Sequence, residues 1–462
     1  MNLTTPNRRR AFFVNVAGGW LSNCILIVQG ILFIPLYLQE LDSELYGYWL
    51  ATGGVLTWFA MVDLGAAGIT QQRCASAYAR NDLQSVVDYF WHGLAVMAAV
   101  GAIFAGLILY FSGKIPRWIG VPFEHTELVS GCFLLAAASV YCFLFISLLR
   151  SFCAGLQRNE VHSAVDFLGN LTSITVIYIT LKYLNWGLWS IPAGAFFKRI
   201  LELSVNSLYV CYLISKVEQK TIWQKSIFRD YRKATTALLA AKSTSSFVGS
   251  LPNILLARTL GPEFAVIYTI TIRPLDIIGA FVNRVNSSLF STFSHFYSAP
   301  NIEPQRFHDL GRKICLFFGG GCYAALLLYS LFNEAFVRIW VGSDQFAGQA
   351  FTGLAAVATF LRFKSNLFEG LAANTGAISE ASWIKCLENS ATSILIIIGL
   401  LYFGMNGIPG AMIISAAIIQ IPQFLLIKRH SSVLATGLMP LNWYWVYVGI
   451  SVSLVIFISS KF

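Results

Sequence analysis

Charge is what this chain has least of. Only 12% of its 462 residues are Asp, Glu, Lys or Arg, where a soluble domain carries roughly 25%. Apolar runs recur from end to end, which leaves no room for a large soluble domain. Cysteine pairs and Cys/His groups at metal-ligand spacing are missing too. The nine cysteines stand singly, mostly inside apolar runs, and read as small packing residues. No metal or cofactor is expected. No phosphate-cradling glycine loop occurs either: Gly319-Gly320-Gly321 lies within an apolar run and reads as a place for close helix packing.

What is there is hydrophobic (56%) and aromatic (15%), with Trp and Tyr near the ends of the apolar runs, as interfacial anchors are. A membrane span takes about 20 residues. On that template spans fall near 12–38, 45–68, 87–111, 128–149, 163–181, 188–215, 235–257, 264–290, 314–335, 349–373, 389–403, 408–427 and 443–460. The fold class is all-α integral membrane. The first run follows Arg8-Arg9-Arg10 but is too long for a signal peptide, so it reads as a retained span.

The net charge, 32 − 22 = +10, would suggest nucleic acid in a soluble protein. Here the bases follow topology. With a cytoplasmic N-terminus, 19 Lys and Arg fall in inside segments and 6 in outside ones, counting Arg150 and Lys385 among the inside group. That bias orients the chain. The segment 216–233 is the densest, with six bases and two acids. It reads as an ordinary inside loop; the alternative is a hinge between the two halves that touches anionic lipid heads.

Offset by roughly 220 residues, the chain resembles itself. Leu41 and Glu44 meet Leu260 and Glu263, Tyr110 meets Tyr329, and Thr172-Ser173-Ile174 meets Thr392-Ser393-Ile394. Six spans per half return the chain to the same side, so the repeats are parallel, with a substrate path between them. The expected organisation is a six-helix lobe 1–215, a basic linker 216–233, a second lobe 234–430 and an extra C-terminal helix 431–462.

Pro35-Leu36-Tyr37-Leu38, then Leu41, Glu44-Leu45-Tyr46-Gly47-Tyr48-Trp49 and Asp63-Leu64-Gly65, resemble the start of polysaccharide-specific, Wzx-type O-antigen flippases. These belong to the multidrug/oligosaccharidyl-lipid/polysaccharide (MOP) superfamily. The resemblance implies MATE-like six-helix lobes with alternating access in a bacterial or archaeal cytoplasmic membrane. The implied substrate is an oligosaccharide on an undecaprenyl pyrophosphate carrier, handed on to a polymerase and a ligase. A thirteenth helix departs from the family's common twelve.

Seven bases fall within spans (Lys198, Arg199, Lys242, Arg273, Arg284, Arg362, Lys364) against four acids (Asp63, Glu202, Asp276, Glu369), a balance of 7 − 4 = +3. Each costs about 2.5–3.5 kcal/mol at the bilayer centre and so marks a pathway or a partner. Lys198, Arg199, Arg273 and Arg362 are the candidates for binding a pyrophosphate, whose oxygens suit the Arg fork and the Lys point charge. Glu202, Asp276 and Glu369 are candidates for ion pairing or for coupling to an ion. Glu202 can pair with Lys198 or Arg199 along one helix face, leaving one base without a local partner. Arg362, Asn366 and Glu369 share a stripe from which Lys364 points away. The bland alternative is that all of these simply hold helices together. Asp63, Lys242 and Arg284, near cytoplasmic helix ends, read as structural.

Two other functions compete. A cation-coupled multidrug exporter would want an acidic cavity, yet the first span has no acid at all. A membrane glycosyltransferase or polymerase would want a long outside loop, and the longest, roughly 112–127, holds too little for an active site. An enzyme is not expected.

Overall fold

The structure, a computed structural model, describes residues 8–459 apart from 60–64, 157, 159, 218, 234–235, 299–303 and 375–376. Asp63 and the side chains of Lys242 and Arg284 lie outside the described residues. Helix is the only regular secondary structure among them, as the apolar periodicity predicts. In lipid a helix satisfies every backbone polar group within itself.

The chain divides into two compact units, Met1–Leu239 and Ala240–Phe462. The first holds α1 (Arg8–Leu41), α2 (Ser43–Phe59), α3 (Ala66–Ala79), α4 (Leu83–Phe111), α5 (Ile115–Ile119), α6 (Phe123–Gly155), α7 (Glu160–Lys182), α8 (Ser190–Ser215) and α9 (Lys225–Lys233). The second span is therefore not one helix. Gly65, at φ +71°, precedes α3 in a left-handed conformation that an L side chain resists. Asp82 caps α4. It accepts hydrogen bonds from the Ser85 N–H and hydroxyl, and these hold its carboxyl below the usual range. That contribution to stability is present above the unfolded carboxylate pKa of about 3.9 and is lost as pH falls.

The second unit holds α10 (Thr236–Thr259, most of it), α11 (Pro262–Ser298), α12 (Pro304–Ile314), α13 (Gly320–Trp340), α14 (Gln349–Asn374), α15 (Ile378–Phe403), α16 (Gly407–His430), α17 (Ser432–Leu438) and α18 (Tyr444–Ser459). A π-helical turn, Cys315–Gly319, joins α12 to α13. Among the described residues the expected spans fall on helical segments, the second divided between α2 and the start of α3 and the ninth beginning at the π-helical turn. Seven stretches of the described residues are long and apolar enough to cross a membrane by length and composition, the last containing both α15 and α16. Helices α8 and α14 are not among them; each carries three charges, Lys198, Arg199 and Glu202 in one and Arg362, Lys364 and Glu369 in the other. The final helix α18 packs on α13 and α14, so it is part of the second unit's core.

Small residues set the closest approaches. In the second unit Gly399 of α15 meets Gly407 of α16 backbone to backbone. A Cβ added at Gly407 would stand 1.9 Å from the Gly399 carbonyl oxygen. Gly311 of α12 and Gly437 of α17 cross in the same way, a Cβ on Gly437 meeting the His308 carbonyl at 2.5 Å. Such crossings replace the missing hydrophobic drive between helices in lipid with van der Waals contact.

The 216–233 segment is no free hinge: it is fastened to the first unit. Ile222 N–H and the Gln84 amide donate to the Asp88 carboxylate at 2.7 and 2.9 Å. Gln224 N–H donates to His92 Nε2 at 3.0 Å. The other ring nitrogen, Nδ1, then carries the proton and donates to the Asp88 carbonyl at 2.7 Å. Trp223 and Phe228 pack on the His92 ring. From α9, the Tyr231 hydroxyl donates to the Tyr89 carbonyl at 2.8 Å, and Asp230 pairs with Arg73 of α3 at 3.0 Å.

Overpacking a tight seam costs about 1–3 kcal/mol, occasionally more. Gly407→Ala is expected to lower the thermal-unfolding midpoint of the detergent-purified protein. Gly410→Ala, whose Cβ would meet nothing within 4 Å, is expected to leave it unchanged.

Candidate functional site

The first unit's site is built on three helices. Glu202 of α8 is fully buried. Its Oε2 accepts from Arg199 Nη1 at 2.6 Å and lies 3.5 Å from Arg150 Nη2 of α6. Its Oε1 lies 3.8 Å from Lys198 Nζ. Arg150 also bonds Asp166 of α7, and Lys198 bonds the Asn170 side-chain oxygen. His162 of α7 lies 3.7 Å from Asp166 and 3.1 Å from Asn206 Oδ1. Arg199 sits over the Phe143 ring, 4.4 Å from its centroid. Gly169 of α7 makes the room: a Cβ there would come within 3.0 Å of Glu202 Oε1. With His162 neutral the group holds three cations and two anions, 3 − 2 = +1.

This corrects two expectations. Neither Lys198 nor Arg199 is left without a partner. Arg150, expected in an inside loop, instead bonds Asp166 and Glu202 from within α6. Asp166 also lies inside a span and was missing from the intramembrane charge balance.

In the second unit a cavity of ≈ 300 Å³ lies among α11, α14 and the start of α16. Its polar lining comes from Tyr268, Asp276 and Asn283 of α11 and Thr359, Arg362 and Asn366 of α14. Arg273 does not line it. It reaches Asp276 at 4.0 Å, where both are partly exposed, which is a weak contact. Among the described residues no carboxylate forms an ion pair with Arg362. Glu369 also does not line the cavity, although it shares a helix with Arg362 and Asn366. One turn before Pro274, the Thr271 carbonyl accepts from Tyr329 and Asn333 at 3.1 and 3.2 Å, which steadies the helix where proline breaks its ladder.

A smaller pocket of ≈ 60 Å³ shares Arg362 and Asn366 and reaches Lys385 and Glu388 of α15. These two were missed. Lys385, expected in a cytoplasmic loop, is buried and pairs with Glu388 at 3.0 Å. The Ser365 hydroxyl donates to Glu388 at 2.6 Å, and Gln423 of α16 donates to Ser365 at 3.0 Å. The Lys385-x-x-Glu388 spacing was the available signal. Asn253 accepts from Thr269 at 3.2 Å, an interhelical bond.

Removing one partner of a buried ion group costs about 3–5 kcal/mol, since the rest stay buried. Glu202→Gln is expected to destabilise the protein by that order in denaturant unfolding. Adding Arg199→Gln is expected to cost less than the two single changes summed.

No family model matches the sequence. A Salmonella typhi protein described as "Putative O-antigen transporter" is 21% identical over 264 residues, 56% of this chain and 59% of that protein's length. Among solved structures, an outward-facing multidrug-resistance MATE transporter of the MOP superfamily matches with a TM-score of 0.67 at 14% identity, over 93% of this chain and 97% of the other. A Vibrio cholerae MATE transporter in the bent form matches at 0.63 and 12%, over 95% and 98%. A Pyrococcus furiosus MOP-superfamily transporter, described as having a binding pocket of reverse polarity, matches at 0.63 and 14%, over 93% and 97%. With seven stretches long and apolar enough to cross a membrane and no strand among its described residues, the chain is an all-α, multi-pass membrane protein with the fold of the MOP-superfamily transporters.

Proposed function

We propose that this protein is a flippase. It moves an oligosaccharide on a polyprenyl pyrophosphate carrier from the inner to the outer leaflet of a bacterial or archaeal cytoplasmic membrane, by alternating access and without catalysing a reaction. The observation that carries this reading is Arg362. It lines a ≈ 300 Å³ cavity beside Asn283, Thr359 and Asn366, and no described carboxylate forms an ion pair with it. A guanidinium in that position offers a planar fork of donors to phosphate oxygens, and the amides and hydroxyl offer partners to sugar hydroxyls. The +1 excess around Glu202 supplies the same field in the first unit through Lys198, Arg199 and Arg150. Arg273, beside Asp276, is the weakest of the four original candidates. The Salmonella relative supports a polysaccharide cargo, as does the motif at Pro35–Trp49.

The test is protein-dependent transbilayer movement of a polyprenyl-pyrophosphate oligosaccharide in proteoliposomes. A hydrogen bond to a charged group is worth about 1.5–3 kcal/mol, so Arg362→Gln is expected to slow movement roughly 10- to 100-fold at unchanged protein level. Arg199→Ala is expected to slow it too, with loss of stability.

A second reading, a cation-coupled multidrug exporter, draws on Asp276, which lines the same cavity and is 55% exposed, and on the MATE fold. It predicts that several sugar heads show no movement while an organic cation is extruded, and that Asp276→Asn abolishes the extrusion.

A further inference from the structure

The small pocket beside Arg362 is lined by two buried charges with bonding capacity to spare. Glu388 is 5% exposed and Lys385 6%, and both line it. Every hydrogen bond that described residues make to the Glu388 carboxylate goes to one oxygen, Oε2. The donors are the Ser365 hydroxyl at 2.6 Å, Lys385 Nζ at 3.0 Å and Gln423 Nε2 at 3.3 Å. Ser365 and Gln423 do not line the pocket, so Oε1 is the oxygen left to face it. Lys385 has three N–H donors. Among the described residues two are used, on Glu388 and on the Ser365 hydroxyl at 2.9 Å. A buried acceptor or donor left without a partner costs about 1–3 kcal/mol, more when charged.

The pocket's ≈ 60 Å³ is about two waters' worth of space. It takes a branch of a few heavy atoms, not a sugar ring. It lies directly beside the ≈ 300 Å³ cavity, with which it shares Arg362, Asn366, Ala358 and Met412. Ser245 and Gly249 of α10, also on its lining, are exposed, so it is open to a ligand. Val248, Ala358, Met412 and Ala416 give it an apolar wall. An acceptor, a donor and an apolar wall beside a guanidinium match an acetamido group. Its N–H donates to Glu388 Oε1, its carbonyl accepts from Lys385 Nζ, and its methyl meets the wall. A bare hydroxyl leaves that wall unmet. A uronate carboxylate has no proton to give Glu388 and faces it as a like charge.

We propose that this side pocket takes the N-acetyl group of an amino sugar in the cargo's head, with the phosphate on Arg362, and so selects N-acetylated sugars over plain hexoses. The proposal rests on the reading of the Arg362 cavity as the cargo's binding site. Glu388 and Lys385 are then specificity-determining residues as well as a buried ion pair.

Calorimetric titration of the detergent-purified protein with N-acetylglucosamine 1-phosphate and with glucose 1-phosphate tests this. Wild type is expected to bind the N-acetyl compound about tenfold tighter or more, the worth of a hydrogen bond to a charged group. Lengthening the acyl chain, in N-butanoylglucosamine 1-phosphate, is expected to remove that advantage. Gly249 lines the pocket, and a Cβ there would meet nothing within 4 Å. Gly249→Met therefore fills the space without touching the ion pair. It is expected to bind the two sugars equally, with glucose 1-phosphate held as in wild type, which also shows that the variant is folded. If that variant binds neither sugar, the N-butanoyl comparison on wild type decides alone. A preference that survives in Gly249→Met, or undiminished binding of the N-butanoyl compound, overturns the proposal. Equal wild-type binding of both sugars, lost in Arg362→Gln, overturns the side pocket and leaves the Arg362 cavity standing. Binding of neither by wild type overturns the reading of that cavity and this proposal with it.

Discussion

A charge inside a hydrocarbon layer has to be answered by another group of the protein, and most of the interior of this chain is arranged around that demand. Glu202 has no access to solvent, and around it stand Arg150, Lys198 and Arg199 from two helices, with Asp166 from a third. Glu388 plays the corresponding part in the second unit, drawing in Lys385, Ser365 and Gln423. The helices so tied are α6, α7 and α8 in the first unit and α14, α15 and α16 in the second. The glycines at Gly169, Gly194, Gly399 and Gly407 bring those helices close enough for short polar side chains to meet. Polar pairing and small-residue packing are thus two aspects of one design, since neither works at the spacing that bulky side chains would impose.

That logic separates binding groups from holding groups. Lys198 and Arg199 were attractive because two adjacent bases faced one acid. In the folded chain they share that acid with Arg150, so much of their charge is already engaged. Arg362 emerges as the cleaner candidate because its cavity provides amides and a hydroxyl, and no described carboxylate forms an ion pair with it. The cavity still holds Asp276, which keeps a cation-coupled exporter as the competing reading and makes cargo sign the property that divides the two.

The helices and their order were legible in the sequence because a 20-residue apolar run has few alternatives to a membrane helix. The break at Gly65 was not, because a single glycine at positive φ leaves no mark on hydropathy. Pairing was legible only along one helix, where Glu202 lies three and four residues from its bases. The Arg150–Asp166 bond joins residues on different helices, and no local periodicity reports which faces of α6 and α7 meet. Lys385 was placed in a loop because the apolar run begins just after it, whereas α15 starts at Ile378. Arg362, Asn366 and Glu369 were rightly put on one helix, but only the packing of α11 and α16 shows where the cavity ends and so which of the three reach it.

The docking of residues 220–233 on α3 and α4 bears on how the polypeptide could be divided. Asp88, His92, Tyr89 and Arg73 receive that segment through contacts of backbone, ring and carboxylate. A chain cut beyond Lys233 would leave the first half with these groups still covered, whereas a cut before Lys220 would expose a buried aspartate and histidine to water. The natural seam for producing the two halves as separate polypeptides therefore lies on the far side of the basic segment, not in its middle.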